Sequence, residues 1–299
     1  MKTKYCTDKI QGVIVAVPTF YDTSYGVDFS AMKRYLTWLF SFKIQGVVMC
    51  GTTGEGMAQS PEEYKDLIRL AVDLSKDRVH VIGGTFGVVS RMVIQQIQWA
   101  KEAGAQSALV LSPHYIKPDQ EGLFQHYEDI HAHTVLPMII YNNRTRTGTS
   151  IDPETVYRLS QLNHVVGIKD STSDMMRIMT YGSKVQKKNW TNLCGEDGQF
   201  LPYLACGGTG IISVAAGVNP RAYQKIWHAW QEGDWHSARK HAFKVMPLAK
   251  ALGCASNPAP VKYALERLGF GDSLMRYHLG MLDEKGKRDI LATMPQCRP

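Results

Sequence analysis

Eight short β-branched segments recur along the 299-residue chain, and each is followed by a longer stretch with helical periodicity. The segments lie at residues 13–17, 46–49, 79–82, 108–111, 138–141, 165–168, 192–194 and 210–213. Residues 64–74 and 92–103 are typical of the helical stretches. Because parallel strands need a crossover between them, eight alternating units predict a closed (β/α)8 TIM barrel. An open, doubly wound sheet is the alternative, although no G-x-G-x-x-G follows the first strand.

Local signals for helix starts support this order of elements. Ser60-Pro61-Glu62-Glu63 offers an N-cap serine, a proline at the first helical position and a glutamate at the third, which is a capping box. Asp152-Pro153 and Asn219-Pro220 repeat the pattern of a capping residue before a proline. Each signal follows a predicted strand and loop.

The last helix of the barrel is expected to end near Gly233, after the aromatic segment at residues 227–230. The remaining residues show helical patterns at 238–252 and 261–268, interrupted by glycine and proline. The sequence therefore predicts a catalytic barrel over residues 1–232 and a small helical C-terminal domain over residues 233–299.

Composition excludes several classes of function. The net charge is +7, but the basic residues form runs of only about two, as at Lys187-Lys188, which argues against a nucleic-acid partner. No apolar stretch is long enough to cross a bilayer, so no membrane partner is expected. Six scattered cysteines without a C-x-x-C pair are typical of a reducing compartment, and we expect a cytoplasmic protein. They are Cys6, Cys50, Cys194, Cys206, Cys254 and Cys297.

Lys169 is the residue most indicative of chemistry. It ends the run Val165-Val166-Gly167-Ile168-Lys169, so an apolar strand delivers an amine to the end of a barrel where active sites form. A lysine in such a strand is expected only where its charge is managed or used. Lys169 is therefore a candidate Schiff-base nucleophile, the ordinary alternative being an amine that extends into solvent.

Further candidates lie at other strand ends. The turn Gly51-Thr52-Thr53-Gly54 could direct backbone amides at an anion and pass protons through its hydroxyls, or it could be an ordinary glycine turn. Tyr141 and Tyr115 could be catalytic, or could pack with their hydroxyls satisfied locally. Arg146 could bind a carboxylate in a bidentate manner, or remain solvated. Ile212, near strand eight, completes the residues expected to face one cavity.

Other types of site find no support. His131 and His133 are two residues apart, which is the wrong spacing for a metal pair on one helix face, and no H-x-x-x-H occurs. The sequence also lacks a Gly-x-Ser-x-Gly elbow and a G-x-x-x-x-G-K-[ST] phosphate loop. We therefore predict no metal site and no serine-hydrolase chemistry.

Six ordered motifs carry a resemblance to a known family. The chain resembles the pyruvate-dependent class I aldolase superfamily of N-acetylneuraminate lyase and dihydrodipicolinate synthase, and is most similar to the dihydrodipicolinate synthase branch, from residue 13 to about residue 268. The motifs are GTTGE at 51–55, PHY at 113–115 followed by QEGL at 120–123, YN at 141–142 with RTG at 146–148, GIKD at 167–170, GGTGIIS at 207–213 and NPAPVK at 257–262.

The resemblance implies an activity: condensation of pyruvate with L-aspartate 4-semialdehyde to 4-hydroxy-tetrahydrodipicolinate, in lysine and diaminopimelate biosynthesis. Lys169 would form an imine with pyruvate. Tyr141 would transfer protons, and a relay from Thr52 to Tyr115 would connect it to solvent. It also implies that no metal or organic cofactor is required.

The resemblance also implies the roles of the binding residues and the assembly. Thr53 would hold the pyruvate carboxylate, the Ile212 carbonyl would line the same pocket, and Arg146 would bind the carboxylate of the second substrate. The residue matching Tyr115 reaches into a neighbouring subunit in this family, so a homotetramer built as a dimer of dimers is expected.

Departures from the family pattern affect regulation and substrate choice. Family members that lysine inhibits carry histidine, asparagine, glutamate and tyrosine at an interface site, where this chain has Pro61, Tyr64, Val88, Met92 and His114. We therefore expect weak or absent inhibition by lysine. Two alternative functions remain: a related aldolase acting on a 2-keto-3-deoxy sugar acid or a sialic acid, and a non-catalytic barrel that binds a keto acid.

Overall fold

The computed structural model describes residues 10–280 and 282–294, and its centre is a closed barrel of eight parallel strands in sequence order. Each strand pairs with the next, and the last pairs with the first, with Gly12 opposite Gly210. The prediction of a (β/α)8 TIM barrel is confirmed. The strands are β1 Gly12–Ala16, β2 Gly46–Met49, β3 His80–Thr85, β4 Ser107–Leu111, β5 Met138–Asn142, β6 Val165–Asp170, β7 Thr191–Cys194 and β8 Gly210–Ser213.

The helices surround this barrel and continue beyond its last strand. They are α1 Phe29–Phe40, α2 Pro61–Ser75, α3 Ser90–Glu102, α4 Gln120–His133, α5 Arg144–Thr147, α6 Pro153–Ser160, α7 Met175–Lys184, α8 Phe200–Ala205, α9 Pro220–Gln231, α10 Trp235–Ala251, α11 Ala259–Arg267 and α12 Glu284–Thr293. Two of them, α5 and α12, have no counterpart in the sequence-based prediction. A single turn such as α5 is too short to show a hydrophobic period.

The predicted capping signals are present at the helix starts. The Ser60 hydroxyl accepts a hydrogen bond from the Glu63 amide, and the Glu63 carboxylate accepts one from the Ser60 amide, which completes the capping box of α2. Asn219 accepts from the Ala222 amide at the start of α9. Asp152 precedes α6 without a side-chain cap, so here the proline alone marks the helix start.

Two strands extend further than the apolar runs indicated. Strand β3 runs through two glycines to Thr85, although its β-branched run ends at Ile82. Strand β6 includes Asp170, so Lys169 is its penultimate residue rather than its last. Both extensions are held by backbone pairing with neighbouring strands. The hydrophobic pattern of the sequence does not reveal such pairing.

Strand side chains fall into two hydrophobic clusters because successive residues point to opposite faces of a strand. One cluster fills the barrel interior and includes Ile14, Val48, Ile139 and Ile212. The other lies between the strands and the helices and contains alternate residues of the same strands, such as Val15. Burial on both faces explains why the strands read as continuous apolar runs.

The C-terminal helices pack onto the barrel and share its outer hydrophobic cluster. Val245 and Leu248 of α10, Leu265 of α11 and Ile290 of α12 all belong to that cluster. Helix α9 ends at Gln231 and Gly233 has φ +73°, as expected for a helix end. The division between residues 232 and 233 remains a prediction.

No helix within residues 10–280 and 282–294 has the length and apolar character needed to cross a membrane. Cys50, Cys194, Cys206 and Cys254 carry free thiols, and the first two of these are buried. Cys6 and Cys297 lie outside the described residues.

A partly buried histidine makes the stability of the barrel depend on pH. His80 begins β3, its Nε2 atom lies 2.9 Å from the Ser107 hydroxyl, and burial lowers the pKa of its imidazole from 6.5 to about 4. The unfolded chain therefore binds more protons than the folded chain between these values, and stability falls as pH drops through this window. At pH 5 the loss from this group is about 2 kcal/mol.

We predict that His80→Gln reduces the loss of unfolding free energy between pH 7 and pH 5 by about 2 kcal/mol relative to the parent protein. Urea denaturation at the two pH values measures this quantity. His133→Gln, at an exposed position on α4, serves as the control and should lose as much stability as the parent protein. An unchanged pH dependence in His80→Gln would contradict the assignment.

Candidate active site

A cavity of about 640 Å³ opens at the carboxyl end of the barrel. Its walls come from the ends of the strands, from the loops that follow them and from the end of α10. Of the residues identified from the sequence, it is lined by Thr52, Thr53, Tyr141, Arg146, Lys169 and Ile212. Carboxyl ends of parallel strands meet on one rim, which is why residues far apart in sequence share this cavity.

Lys169 lies in the cavity wall with only 7% of its surface exposed. Strand pairing sets it opposite Tyr141 of β5 on one side and Leu193 of β7 on the other. Its Nζ atom lies 4.1 Å from the centre of the Tyr141 ring, close enough for a cation–π interaction. The amine is therefore buried in the cavity wall, and the alternative of a solvated lysine is wrong.

The Tyr141 phenol is also buried and is coupled to Lys169. Burial alone raises the pKa of the phenol, but the positive charge of Lys169 and a hydrogen bond from Asn143 Nδ2, 2.9 Å from the hydroxyl oxygen, outweigh it. The pKa of Tyr141 consequently lies below its ordinary value. A phenol with a lowered pKa beside an amine is suited to proton transfer.

The threonine turn after β2 is closed by its own backbone. The Glu55 amide donates to the Thr52 carbonyl at 3.2 Å, and the Gly56 amide donates to the Gly51 carbonyl at 3.1 Å. The turn packs so closely on β3 that a Cβ atom at Gly84 would lie 2.6 Å from Gly51 Cα. Gly84 is therefore required for the turn to reach its position.

Thr53 is buried, and its hydroxyl oxygen accepts a hydrogen bond from Asn257 Nδ2 at 2.9 Å. A hydroxyl that accepts one bond can still donate its proton to another group. The Thr53 hydroxyl is thus oriented by the C-terminal segment and retains a donor for an anion in the cavity.

Arg146 lies on the short helix α5 and is exposed towards the mouth of the cavity. Asn143 is the N-cap of helix α5, and its side chain accepts a hydrogen bond from the Arg146 amide at 3.2 Å. Arg146 Nη2 lies 3.5 Å from the Asn257 carbonyl oxygen, so most of its donors are free for a ligand.

Tyr115 is the one predicted site residue that this cavity does not include. Its side chain is 88% exposed, and its backbone has φ +70°, in the left-handed region. Within a single chain, therefore, Tyr115 does not join Thr52 and Tyr141.

Two acidic residues of the cavity were not identified from the sequence. Glu196 and Asp197 follow β7 and line the cavity beside Lys169. Partial burial raises the pKa of Glu196 and burial raises that of Asp197, while the charge of Lys169 opposes both shifts. Asp197 also accepts hydrogen bonds from the Ser213 hydroxyl and, at 3.0 Å, from the Ala215 amide.

Asn143, Ser171 and Asn257 were also missed as cavity residues. The rule that the loops after barrel strands form the site could have indicated Asn143, Ser171 and the acidic pair, since each lies within three residues of a strand end. Asn257 begins the NPAPVK motif, but it does not follow a barrel strand, so the strand-end rule could not place it in the cavity.

The cavity combines a buried amine, an acidified phenol, an oriented hydroxyl and a guanidinium. An amine 4.1 Å from the centre of a phenol ring supports covalent catalysis on a carbonyl group. The hydroxyl and the guanidinium provide two separate binding points for negative charge. Among the described residues, no group of three or more His, Cys, Asp or Glu side chains is arranged to hold a metal ion.

Comparison with known proteins gives one consistent result. Residues 9–296 match the model of the dihydrodipicolinate synthetase family. A relative from Anaeromyxobacter dehalogenans (strain 2CP-C), named 4-hydroxy-tetrahydrodipicolinate synthase, is 37% identical over 286 residues, which cover 96% of this chain and 97% of the relative.

Two solved structures are also similar. Dihydrodipicolinate synthase from Aquifex aeolicus has a TM-score of 0.91 and 33% identity, over 96% of this chain and 97% of that one. The chloride-inhibited dihydrodipicolinate synthase from Acinetobacter baumannii, determined in complex with pyruvate, has a TM-score of 0.93 and 32% identity, over 97% of this chain and 99% of that one.

Proposed function

Because the chain belongs to the dihydrodipicolinate synthetase family, we propose that its cavity condenses pyruvate with L-aspartate 4-semialdehyde to 4-hydroxy-tetrahydrodipicolinate. The protein is a lyase, and this step belongs to lysine and diaminopimelate biosynthesis. The observation that carries the mechanism is the buried Lys169 amine, 4.1 Å from the Tyr141 ring centre.

In the first half-reaction, Lys169 Nζ attacks C2 of pyruvate and forms a C–N bond. The carbonyl oxygen leaves as water, which gives a protonated imine. Loss of a proton from C3 then gives an enamine, because the iminium nitrogen accepts the electron pair. The covalent intermediate thus turns C3 of pyruvate, a weakly acidic carbon, into a nucleophile at neutral pH.

Proton transfer and anion binding are assigned to the residues around this imine. Tyr141 exchanges protons with the departing oxygen, which its lowered pKa favours. Thr53 donates its free hydroxyl proton to the pyruvate carboxylate, and the Ile212 carbonyl lines the same pocket. Thr52 and Tyr115 form the relay to solvent, with Tyr115 supplied by a neighbouring subunit.

In the second half-reaction, the enamine carbon attacks the aldehyde of aspartate semialdehyde and forms the new C–C bond. Arg146 binds the carboxylate of this substrate, because its guanidinium is free at the cavity mouth. The product is cyclic, so the amino group of the second substrate then attacks C2 and displaces Lys169. This displacement regenerates the free amine.

The two alternative functions are less well supported. A sugar aldehyde would leave the Arg146 guanidinium without an anionic partner, so a sugar-acid aldolase fits the cavity mouth less well. A barrel that only binds a keto acid would have no use for an intact amine and phenol pair.

The assembly proposed for this enzyme is a homotetramer made of two dimers. It is supported by the surface around Tyr115, where large apolar side chains are exposed. Met57, Met92 and Ile116 expose 56%, 50% and 54% of their surface, and exposed apolar clusters are typical of protein interfaces. A cytoplasmic location is proposed from the free thiols of the described cysteines.

Weak regulation by lysine is proposed from a second, smaller cavity. It has a volume of about 190 Å³ and is lined mainly by apolar side chains, among them Val88, Met92 and Trp99. The Tyr64 hydroxyl donates its proton to the Gly84 carbonyl at 3.1 Å, so this proton is not available to a ligand. These walls offer few partners for the charged groups of free lysine.

We predict that pyruvate followed by borohydride converts Lys169 to a carboxyethyl-lysine, because reduction traps the imine. Peptide mapping by mass spectrometry locates the adduct. Lys169→Arg should give none. Lys250→Arg changes the other lysine that lines the cavity and should leave the adduct intact. A parent protein without an adduct on the Lys169 peptide would refute the mechanism.

Turnover with aspartate semialdehyde tests the role of Arg146. Arg146→Gln should lower kcat/KM for this substrate by roughly 10- to 100-fold, because the substrate carboxylate loses one charge-assisted hydrogen-bonding partner. The rate of adduct formation with pyruvate should not change. Arg144→Gln is the matched control, since Arg144 shares helix α5 but does not line the cavity. Equal activity on sugar aldehydes would instead favour the sugar-acid alternative.

Steady-state assays with added lysine test the regulatory proposal. Low-millimolar lysine should leave the initial rate essentially unchanged at saturating pyruvate and aspartate semialdehyde. Clear inhibition in that range would show that the interface supplies polar partners in some other way.

A further inference from the structure

A buried ion pair lies next to the active-site turn and has no part in the chemistry described above. Lys262 Nζ of α11 lies 2.7 Å from Glu55 Oε1, and both side chains have no exposed surface. Burial lowers the pKa of Lys262 to about 8, although Glu55 opposes the shift. The negative charge of Glu55 thus helps to keep the buried Lys262 amine protonated.

The donors around Glu55 all come from the C-terminal segment. Its second carboxylate oxygen accepts hydrogen bonds from the backbone amides of Arg276, at 2.8 Å, and Tyr277, at 2.9 Å. Lys262 also donates to the Leu274 carbonyl and lies 4.3 Å from the centre of the Tyr21 ring. Glu55 is therefore the point at which the turn and the C-terminal segment meet.

Arg276 extends this contact to the start of α2. Its guanidinium pairs with Glu63, with Nη1 2.6 Å from Oε2, and donates to the carbonyls of Ala58 at 2.9 Å and Tyr25 at 2.7 Å. Glu63 is the capping-box residue of α2. The segment that holds Glu55 is thus fixed to the helix that follows the turn.

The same C-terminal segment also holds the other end of the turn. Thr53 accepts from Asn257, and Glu55, two residues later, binds Lys262. Glu55 has φ +52°, a conformation that is unfavourable for a residue other than glycine and persists only where its surroundings impose it. We call Asn257, Lys262 and Arg276 the C-terminal clamp.

We propose that Glu55 and Lys262 are positioning residues for substrate binding, which hold the Thr52-Thr53 turn at the geometry that receives the pyruvate carboxylate. The inference rests on the proposed function, because it takes pyruvate as the anion bound there. It assigns to the C-terminal helices a direct influence on pyruvate affinity.

Energetics favour this role over a purely stabilising one. A buried ion pair can often be replaced by apolar residues of similar size with little loss of stability, whereas removal of one partner is strongly destabilising. Net stability is therefore a poor explanation for two charges at this place. A fixed position for the adjacent turn is a specific benefit that an apolar pair would not provide, since three directed donors orient Glu55.

The test compares Glu55→Gln, Lys262→Met and the double variant that combines them. The double variant leaves no unpaired buried charge, so it should remain folded with a thermal midpoint near that of the parent. Its KM for pyruvate should rise about tenfold, the effect of one weakened charge-assisted contact, while kcat changes by less than about threefold. The concentration dependence of borohydride trapping gives pyruvate affinity independently of the second substrate.

Two further variants separate positioning from general destabilisation. Ile226→Val removes one methyl group from the buried core of α9, away from the cavity, and should lower stability by about 1 kcal/mol without raising KM. Arg276→Gln weakens the outer part of the clamp and should raise KM for pyruvate in the same direction by a smaller factor. It provides the readout if the buried variants fail to fold.

The possible outcomes are distinguishable. A folded double variant, or a folded Arg276→Gln, with the pyruvate affinity of the parent would overturn the positioning role and leave the proposed function intact. A parent protein that forms no pyruvate adduct on Lys169 would overturn the proposed function, and this inference with it. A rise in KM shared by Ile226→Val would show that loss of stability alone accounts for the effect.

Discussion

Closure of the parallel sheet is the constraint on which the rest of this structure depends. Strand β8 pairs with β1 in the same direction as every other neighbouring pair, so the sheet has no free edge. In a closed parallel barrel, all carboxyl ends meet on one rim. The register of the strands then decides which residues are neighbours on this rim. It places Tyr141 opposite Lys169. The proximity of Lys169 and Tyr141 in the cavity is thus a consequence of strand pairing rather than of loop conformation.

Burial of the Lys169 amine is tolerable because its surroundings are polar or polarisable. The Tyr141 ring lies against the amine, and Glu196 and Asp197 add negative potential from the end of β7. The positive charge of Lys169 acts to lower the pKa of all three groups. The imine proposed at Lys169 would therefore form with little exposure to bulk water.

The C-terminal helices contribute to the site as well as to the core. They share the outer hydrophobic cluster with the barrel, and their segment from residue 257 to 277 contacts the threonine turn through side chains and backbone amides. The barrel therefore supplies the buried amine of the cavity, while the following helices orient the Thr53 hydroxyl in the cavity wall.

The sequence by itself determined the order and type of the main elements, since hydrophobic period, capping residues and prolines act over a few neighbouring positions. It also identified Lys169, Tyr141, the threonine turn and Arg146, because strand ends in a barrel point to one rim. Only the tertiary structure decided which residues meet across long distances in the chain. Asn257 against Thr53, Lys262 against Glu55 and the absence of Tyr115 from the cavity of its own chain all depend on packing between segments more than a hundred residues apart, or on surfaces beyond one chain. Local propensity carries no information on such contacts, because their free energy arises only once the barrel has closed and the C-terminal helices have docked.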